Sequence, residues 1–169
     1  MLLELAGVSK RFGAVVAAEG VTLSVADGEA LGIIGANGAG KSSLFNLITG
    51  VLRPDAGTVT FEGRDITYVP VRERCRSGIG RSFQIPKPFE SLSVFENLLV
   101  AAQFGGDEGG SVQFCGEVLE RTGLAAKANV VAGKLTLLDR KRLELARALA
   151  TRPKLILLDE IAGGLTEAE

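Results

Sequence analysis

Gly35-Ala36-Asn37-Gly38-Ala39-Gly40-Lys41-Ser42 is the segment that most restricts how this 169-residue chain can fold. It fits G-x-x-x-x-G-K-[ST], a loop whose successive backbone N–H groups wrap a chain of phosphates. Such a loop needs glycines, because the backbone must approach closely and take φ angles that other residues avoid. It also needs a strand entering and a helix leaving, since the helix N-terminus adds donors and a dipole. Both are legible here. Glu29-Ala30-Leu31-Gly32-Ile33-Ile34 is a short apolar run and reads as a buried strand. Ser43 to Ile48 reads as a helix with Leu44, Leu47 and Ile48 on one face, stopped by Gly50. On this reading Gly35, Asn37, Gly38, Ala39, Gly40, Lys41, Ser42 and Ser43 bind a nucleotide. Lys41 reaches its β- and γ-phosphates, and the Ser42 hydroxyl holds Mg²⁺.

Composition removes several other function classes. Nineteen Lys and Arg balance twenty Asp and Glu, giving a net charge of −1. A nucleic-acid partner would normally call for a basic excess, so none is expected. Arg72, Arg74 and Arg76 cluster around Glu73 and read as a solvated helix face. The N-terminus lacks a basic region followed by a long apolar run, so no signal peptide is expected. No apolar stretch approaches the roughly 20 residues needed to span a bilayer. A cytosolic chain is therefore expected, with any membrane role passing through a partner. Cys75 and Cys115 are isolated and read as reduced, structural residues. The chain has no His, which excludes a His-based triad and His metal ligation.

Along the chain, Leu2–Val8 and Val21–Val25 alternate as half-buried strands, with a turn at Ala26-Asp27-Gly28. Thr58–Gly63 is another alternating strand, and Gly78–Phe83 a further one. Val71–Arg76 reads as a short helix after Pro70. Ile85-Pro86-Lys87-Pro88 reads as an extended loop. Ser93 caps a helix from Val94 to about Gln103, with Glu96 completing a capping box. Gly105–Gly110 reads as a surface loop, and Val112–Thr122 as helix. Arg140–Thr151 is an amphipathic helix for which Asp139 is the expected N-cap.

Leu155-Ile156-Leu157-Leu158-Asp159-Glu160 is an apolar strand ending in two carboxylates. Adjacent carboxylates at a buried strand end are costly, because like charges repel and burial disfavours ionisation. In a phosphate-loop protein such a strand lies beside the loop, and Asp159 then faces the metal. Glu160 points to the γ-phosphate side, where it can polarise an attacking water.

Together with the Leu-Glu-Leu-Ala-Arg-Ala-Leu-Ala helix before that strand, the loop and the Asp159-Glu160 strand resemble the ATPase subunits of ABC transporters. The resemblance runs along essentially the whole chain. Ile79–Phe89 looks like the segment around the family's Q-loop glutamine. With Leu44–Gly50 it looks most like the branched-chain amino acid importers. The resemblance implies an α/β fold: a P-loop core, a small antiparallel β portion near the N-terminus and a mostly parallel sheet. It implies a helical subdomain over roughly Pro86–Thr136 within one ABC domain spanning 1–169. It places Phe12 against adenine, where stacking needs only a π face. It makes Gln84 the residue that senses Mg²⁺ and the attacking water. It assigns catalysis to Glu160, Gln84 and Lys41, and the metal to Ser42, Gln84 and Asp159. It implies ATP and Mg²⁺ as cofactors and a second ATPase subunit. It also implies transmembrane permease subunits reached through Gln84–Leu92, on the inner face of the membrane.

Two departures qualify it. The family signature, close to L-S-G-G-Q, aligns with Leu135-Thr136-Leu137-Leu138-Asp139. Leu138 stands where glycine allows close approach, and the Asp139 carboxylate stands where a neutral amide is usual. Weaker nucleotide-driven dimer closure is therefore expected. The family's switch histidine follows the Asp-Glu pair on a further strand, while Ala162–Thr166 resembles its D-loop and the sequence stops at Glu169. The expectation is a domain truncated at its C-terminus, binding ATP and turning it over poorly alone. Two alternatives stay open: a nucleotide-binding module with little turnover, and a soluble ABC-type ATPase not tied to transport. A GTPase is disfavoured, since no N-K-x-D motif is present.

Overall fold

The computed structural model describes residues 1–36, 38–105 and 112–159. They divide into two compact units, Met1–Arg74 and Cys75–Glu169.

The first unit is an antiparallel sheet carrying one helix. β1 (Leu3–Phe12) and β2 (Val15–Val25) form a hairpin, and β3 (Ala56–Phe61) pairs with the other edge of β1. β4 (Arg64–Asp65) closes the order β2-β1-β3-β4. The alternation read in residues 2–8 and 21–25 thus belongs to strands several residues longer, joined at Gly13-Ala14. Leu3, Leu5, Val8, Val59 and Phe61 supply the buried face. β2 carries a bulge: Lys10 faces Ala18 and Arg11 faces Val16, which leaves Ala17 without an opposite residue. α1 (Lys41–Thr49) follows the loop and buries Leu44, Leu47 and Ile48, the face the sequence assigns to it.

Residues 29–34 differ from their reading as a buried strand. They join no ladder with any described strand, and Ile34 is 99% exposed. An apolar run signals a tendency to be buried, but a strand also needs a hydrogen-bonding neighbour.

The second unit is mainly helical. α2 (Val71–Arg76) begins within the first unit and runs into this one. β5 (Ile79–Arg81) pairs in parallel with β6 (Leu155–Leu157), Ile79 facing Leu155 and Arg81 facing Leu157. Among the described residues the parallel ladder is this pair. α3 (Val94–Gly105), α4 (Val112–Arg121) and α5 (Leu137–Ala150) pack around Val94, Leu98, Val118, Leu119 and Leu143. Short 3-10 turns at Ala125–Lys127 and Ala132–Lys134 connect α4 to α5. The capping box of α3 is as the sequence reads it: Ser93 N–H donates to Glu96 Oε2 at 2.7 Å, and Glu96 N–H to Ser93 Oγ at 3.1 Å. Cys75 and Cys115 are free thiols, and burial raises the pKa of both. No helix among the described residues is long and apolar enough to cross a membrane.

Candidate nucleotide site

Gly40 is the N-cap of α1, in the left-handed conformation at φ 89°. Its carbonyl accepts the first helical bond, from Leu44 N–H at 2.9 Å. An α-helix leaves its first N–H groups without internal partners. Those of Lys41, Ser42 and Ser43 have no partner among the described residues, and neither has the Ser42 hydroxyl, which is exposed. Before the helix, Ala39 N–H donates back to Ala36 O at 3.1 Å, forming a tight turn. The Lys41 ammonium closes on this loop, donating to Gly35 O at 2.5 Å and Ala36 O at 2.9 Å. An ammonium has three donors, so one remains for an anion. Open N–H groups, a helix dipole and a cation therefore converge on one point, the combination that attracts phosphate.

Beside the loop lies an open cleft of about 310 Å³, lined by Val16, Ala17, Glu19, Ile34, Gly40 and Lys41 among others. Its floor is the bulged part of β2. Phe12 stands at the end of β1, half-exposed, and does not line the cleft. Its ring lies 5.6 Å from Lys10 Nζ, and Lys10 also pairs with Asp55 at 2.7 Å.

In the second unit Gln84 is exposed, three residues beyond β5. Asp159 follows β6 and is buried, and its carboxylate pairs with Arg81 Nη2 at 3.0 Å. Each side chain of this pair is only 8% exposed. Asp159 N–H points to Ser82 Oγ at 3.4 Å. No local sequence signal marks this partner, 78 residues away. Asn37, Glu160, the 106–110 glycines and the 162–166 segment lie outside the described residues.

Among the described residues no group of three or more Cys, Asp or Glu side chains could cage a metal ion. In the first unit the exposed Ser42 hydroxyl is an oxygen donor beside the loop. Such a donor suits Mg²⁺, which keeps several waters and binds few protein ligands together with phosphate oxygens.

The loop Lys87–Leu92 is tied down from both sides. Asn97, fully buried, accepts from Phe89 N–H at 2.8 Å and donates to Phe89 O at 3.1 Å and Ser93 O at 2.9 Å. Arg147 donates to Lys87 O at 2.9 Å and lies 5.2 Å from the half-exposed Phe89 ring.

The start of α5 departs from its reading. Thr136, not Asp139, is the N-cap, and the helix begins at Leu137. Thr136 Oγ1 accepts from Asp139 N–H at 3.2 Å and donates to Asp139 Oδ2 at 2.8 Å. T-x-x-D is a capping box, a signal present in the sequence. The Asp139 side chain is 5% exposed, bonded to Lys127 and within 3.6 Å of Arg142. Neutralised and turned inward, it is not placed to repel an external phosphate. Leu137, exposed, and Leu138, half-buried, remain as steric departures.

Burial raises the pKa of Asp139, but hydrogen bonds from Lys127 and Thr136 outweigh it and hold the carboxyl below its ordinary range. A depressed carboxylate pKa contributes stability above the unfolded value of about 3.9, and that stability is lost as pH falls through the folded value. Asp139→Asn is expected to destabilise the protein by about 1–3 kcal/mol at pH 7, because the charged hydrogen bonds with Lys127 and Thr136 are weakened. The difference from wild type should shrink below about pH 4 in thermal melts followed across pH.

A family model described as ABC transporter matches residues 18–163, which includes the loop and the Asp159 strand. The chain belongs to the ABC transporter family. The high-affinity branched-chain amino acid transport ATP-binding protein BraF of Pseudomonas aeruginosa is 35% identical over 99% of this chain and 72% of its own length. A solved ATP-binding cassette of an ABC transporter, in its ADP conformation, superposes with a TM-score of 0.85 at 36% identity. The match covers 98% of this chain and 70% of that one. A dimeric cassette in a post-hydrolysis state, bound to ADP and Pi, gives 0.87 at 26% identity, covering 99% and 77%. As a member of this family the chain is a nucleotide-binding, ABC-type ATPase domain of α/β fold.

Proposed function

We propose that this chain is the ATP-binding and hydrolysing subunit of an ABC importer for branched-chain amino acids or a related small solute. The observation that carries the reading is the start of α1: three open N–H groups, the Lys41 ammonium and the Ser42 hydroxyl at one helix pole. In this reading Gly35 to Ser43 cradle the phosphates and Lys41 leaves its loop carbonyls for the γ-phosphate. Phe12 offers a half-exposed ring to adenine. Ser42, Gln84 and Asp159 hold Mg²⁺, which supplies charge neutralisation on the phosphates. Glu160 orients the attacking water. A second ATPase subunit completes the unit, as in the dimeric relative. The Gln84–Leu92 region transmits closure to permease subunits on the inner face of the membrane. Anchoring by Asn97 and Arg147 supports that role, because a relay must be stiff. A helical subdomain over 86–136 within one ABC domain completes the organisation.

One observation favours a second reading, a nucleotide-binding module with little turnover. The N-terminal pole of α5, where the signature aligns, is closed by its own Thr136 and Asp139. ATP titration calorimetry tests the first reading. Wild type should bind, and Lys41→Ala should bind at least about tenfold more weakly, a loss of about 1.4 kcal/mol. Equal affinities would sink nucleotide binding at this loop. Binding accompanied by phosphate release that Glu160→Gln abolishes selects the hydrolysing subunit, and binding without release selects the module.

A further inference from the structure

Arg74 corrects its reading as part of a solvated helix face, for it is only 1% exposed. The guanidinium spends its donors on four backbone carbonyls. Nη1 donates to Leu47 O and Ile48 O, each at 2.8 Å. Nη2 donates to Thr67 O and Nε to Val69 O, both at 2.9 Å. Leu47 and Ile48 lie in the last turn of α1, where carbonyls lack the regular i+4 helical partner, although Leu47 O also accepts from the Gly50 N–H at 3.3 Å. The same end carries Gly50, in the left-handed conformation at φ 81°. A Cβ added there would lie 2.7 Å from Arg74 Nε, so the glycine leaves room for the guanidinium.

The other two carbonyls belong to a turn that is itself fixed to the sheet. Ile66 N–H donates to Val59 O at 2.8 Å, and Val59 N–H donates to Thr67 Oγ1 at 2.9 Å. Thr67 in turn donates its hydroxyl to Asp65 at 2.6 Å. A continuous set of bonds thus runs from β3 through the 66–69 turn and Arg74 to the C-terminal pole of α1. The opposite pole of this nine-residue helix begins with Lys41 and Ser42. A helix of that length is a rod of roughly 14 Å, so holding one end in distance and rotation also fixes the other.

We propose that Arg74 is a positioning residue for the phosphate loop. It clamps the far end of α1 to the sheet and so aims the N–H groups of Lys41, Ser42 and Ser43 at the anion. The planar fork suits this task, because four donors in fixed directions define both the position and the roll of the helix. Lysine offers a point charge and cannot set the roll. The inference rests on the nucleotide reading above.

The test uses the whole chain, with ATP as the probe and calorimetric affinity measured well below each variant's melting temperature. Arg74→Met should weaken ATP binding about tenfold in protein that is still folded, and Arg74→Lys should recover part of that loss. A role in stability alone lowers the melting temperature and leaves the affinity of the folded protein unchanged, and that result overturns the proposal. If Arg74→Met does not fold, Arg74→Lys decides: several-fold weaker binding supports positioning, and wild-type affinity overturns it. Lys41→Ala run alongside separates the two failures. Binding unaffected by Lys41→Ala removes the nucleotide reading itself. Binding lost in Lys41→Ala but retained in the Arg74 variants removes only the clamp.

Discussion

Gly40→Ala is expected to weaken ATP binding by more than about tenfold while the antiparallel sheet of the first unit stays folded. Two independent costs meet at this residue. Its φ of 89° lies in the left-handed region, where an L side chain costs roughly 1–2 kcal/mol. The larger effect is steric. A Cβ at position 40 would lie 2.3 Å from the Ala17 carbonyl oxygen, a backbone atom that cannot swing aside. Ala17 is the unpaired residue of the β2 bulge, so the bulge and the glycine fit one another. Bulges recur beside functional sites because they re-aim backbone groups. Here the bulge brings a strand carbonyl against the first turn of the phosphate loop. Relieving the contact must move either β2, which is laddered to β1, or the start of α1. The N–H groups of Lys41 to Ser43 would then no longer converge. Calorimetric affinity and a thermal melt of the same variant check this. Wild-type affinity would show that the loop tolerates the displacement and that the close approach has no functional meaning.

What the sequence made legible follows the range of the forces involved. α1, its stop at Gly50 and the Ser93–Glu96 capping box rest on neighbours within one helical turn, and these were readable residue by residue. The tight turn from Ala36 to Ala39 and the left-handed Gly40 before α1 are local in the same way. The cap of α5 is local too, but Asp139 alone reads as a conventional N-cap, whereas the Thr136–Asp139 pair is the pattern the helix uses. Other features needed distant partners. Residues 29–34 have the composition of a buried strand, yet composition does not name a ladder neighbour. The bulge at Ala17 depends on how β2 pairs with β1, and its register cannot be read from β2 alone. Arg74 looked solvated because alternating charges mark a wet face in most helices. Only the fold brings the carbonyls of Leu47 and Ile48 to it. Asp159 lies two residues past β6, which ends at Leu157 and not at the carboxylates, and its counter-charge is set by the parallel pairing of β5 with β6.

That counter-charge supports the other large prediction. Arg81→Ala is expected to destabilise the second unit by about 3–5 kcal/mol, the usual cost of removing one member of a buried ion pair. Among the described residues Arg81 is the only cation in salt-bridge reach of the Asp159 carboxylate. Both side chains are nearly out of water, so solvent cannot replace the lost partner. The pair also joins the end of β5 to the segment just past β6, where Ser82 N–H already donates to Leu157 O at 3.0 Å. The melting temperature should fall by roughly 6–20 °C for a chain of this size. A double-mutant cycle separates charge from packing. Asp159→Asn combined with Arg81→Met removes both charges and keeps the volume, and it should recover most of the loss. If the double variant is as unstable as Arg81→Ala, an unpaired Asp159 charge is not what destabilises the single variant. A drop of less than about 1 kcal/mol in Arg81→Ala, the range of a solvent-exposed pair, would mean that water reaches Asp159 and that the pairing contributes little. The outcome bears on function as well. On the proposed reading, in which Asp159 helps to hold Mg²⁺, a carboxylate held by a guanidinium would be oriented before nucleotide arrives.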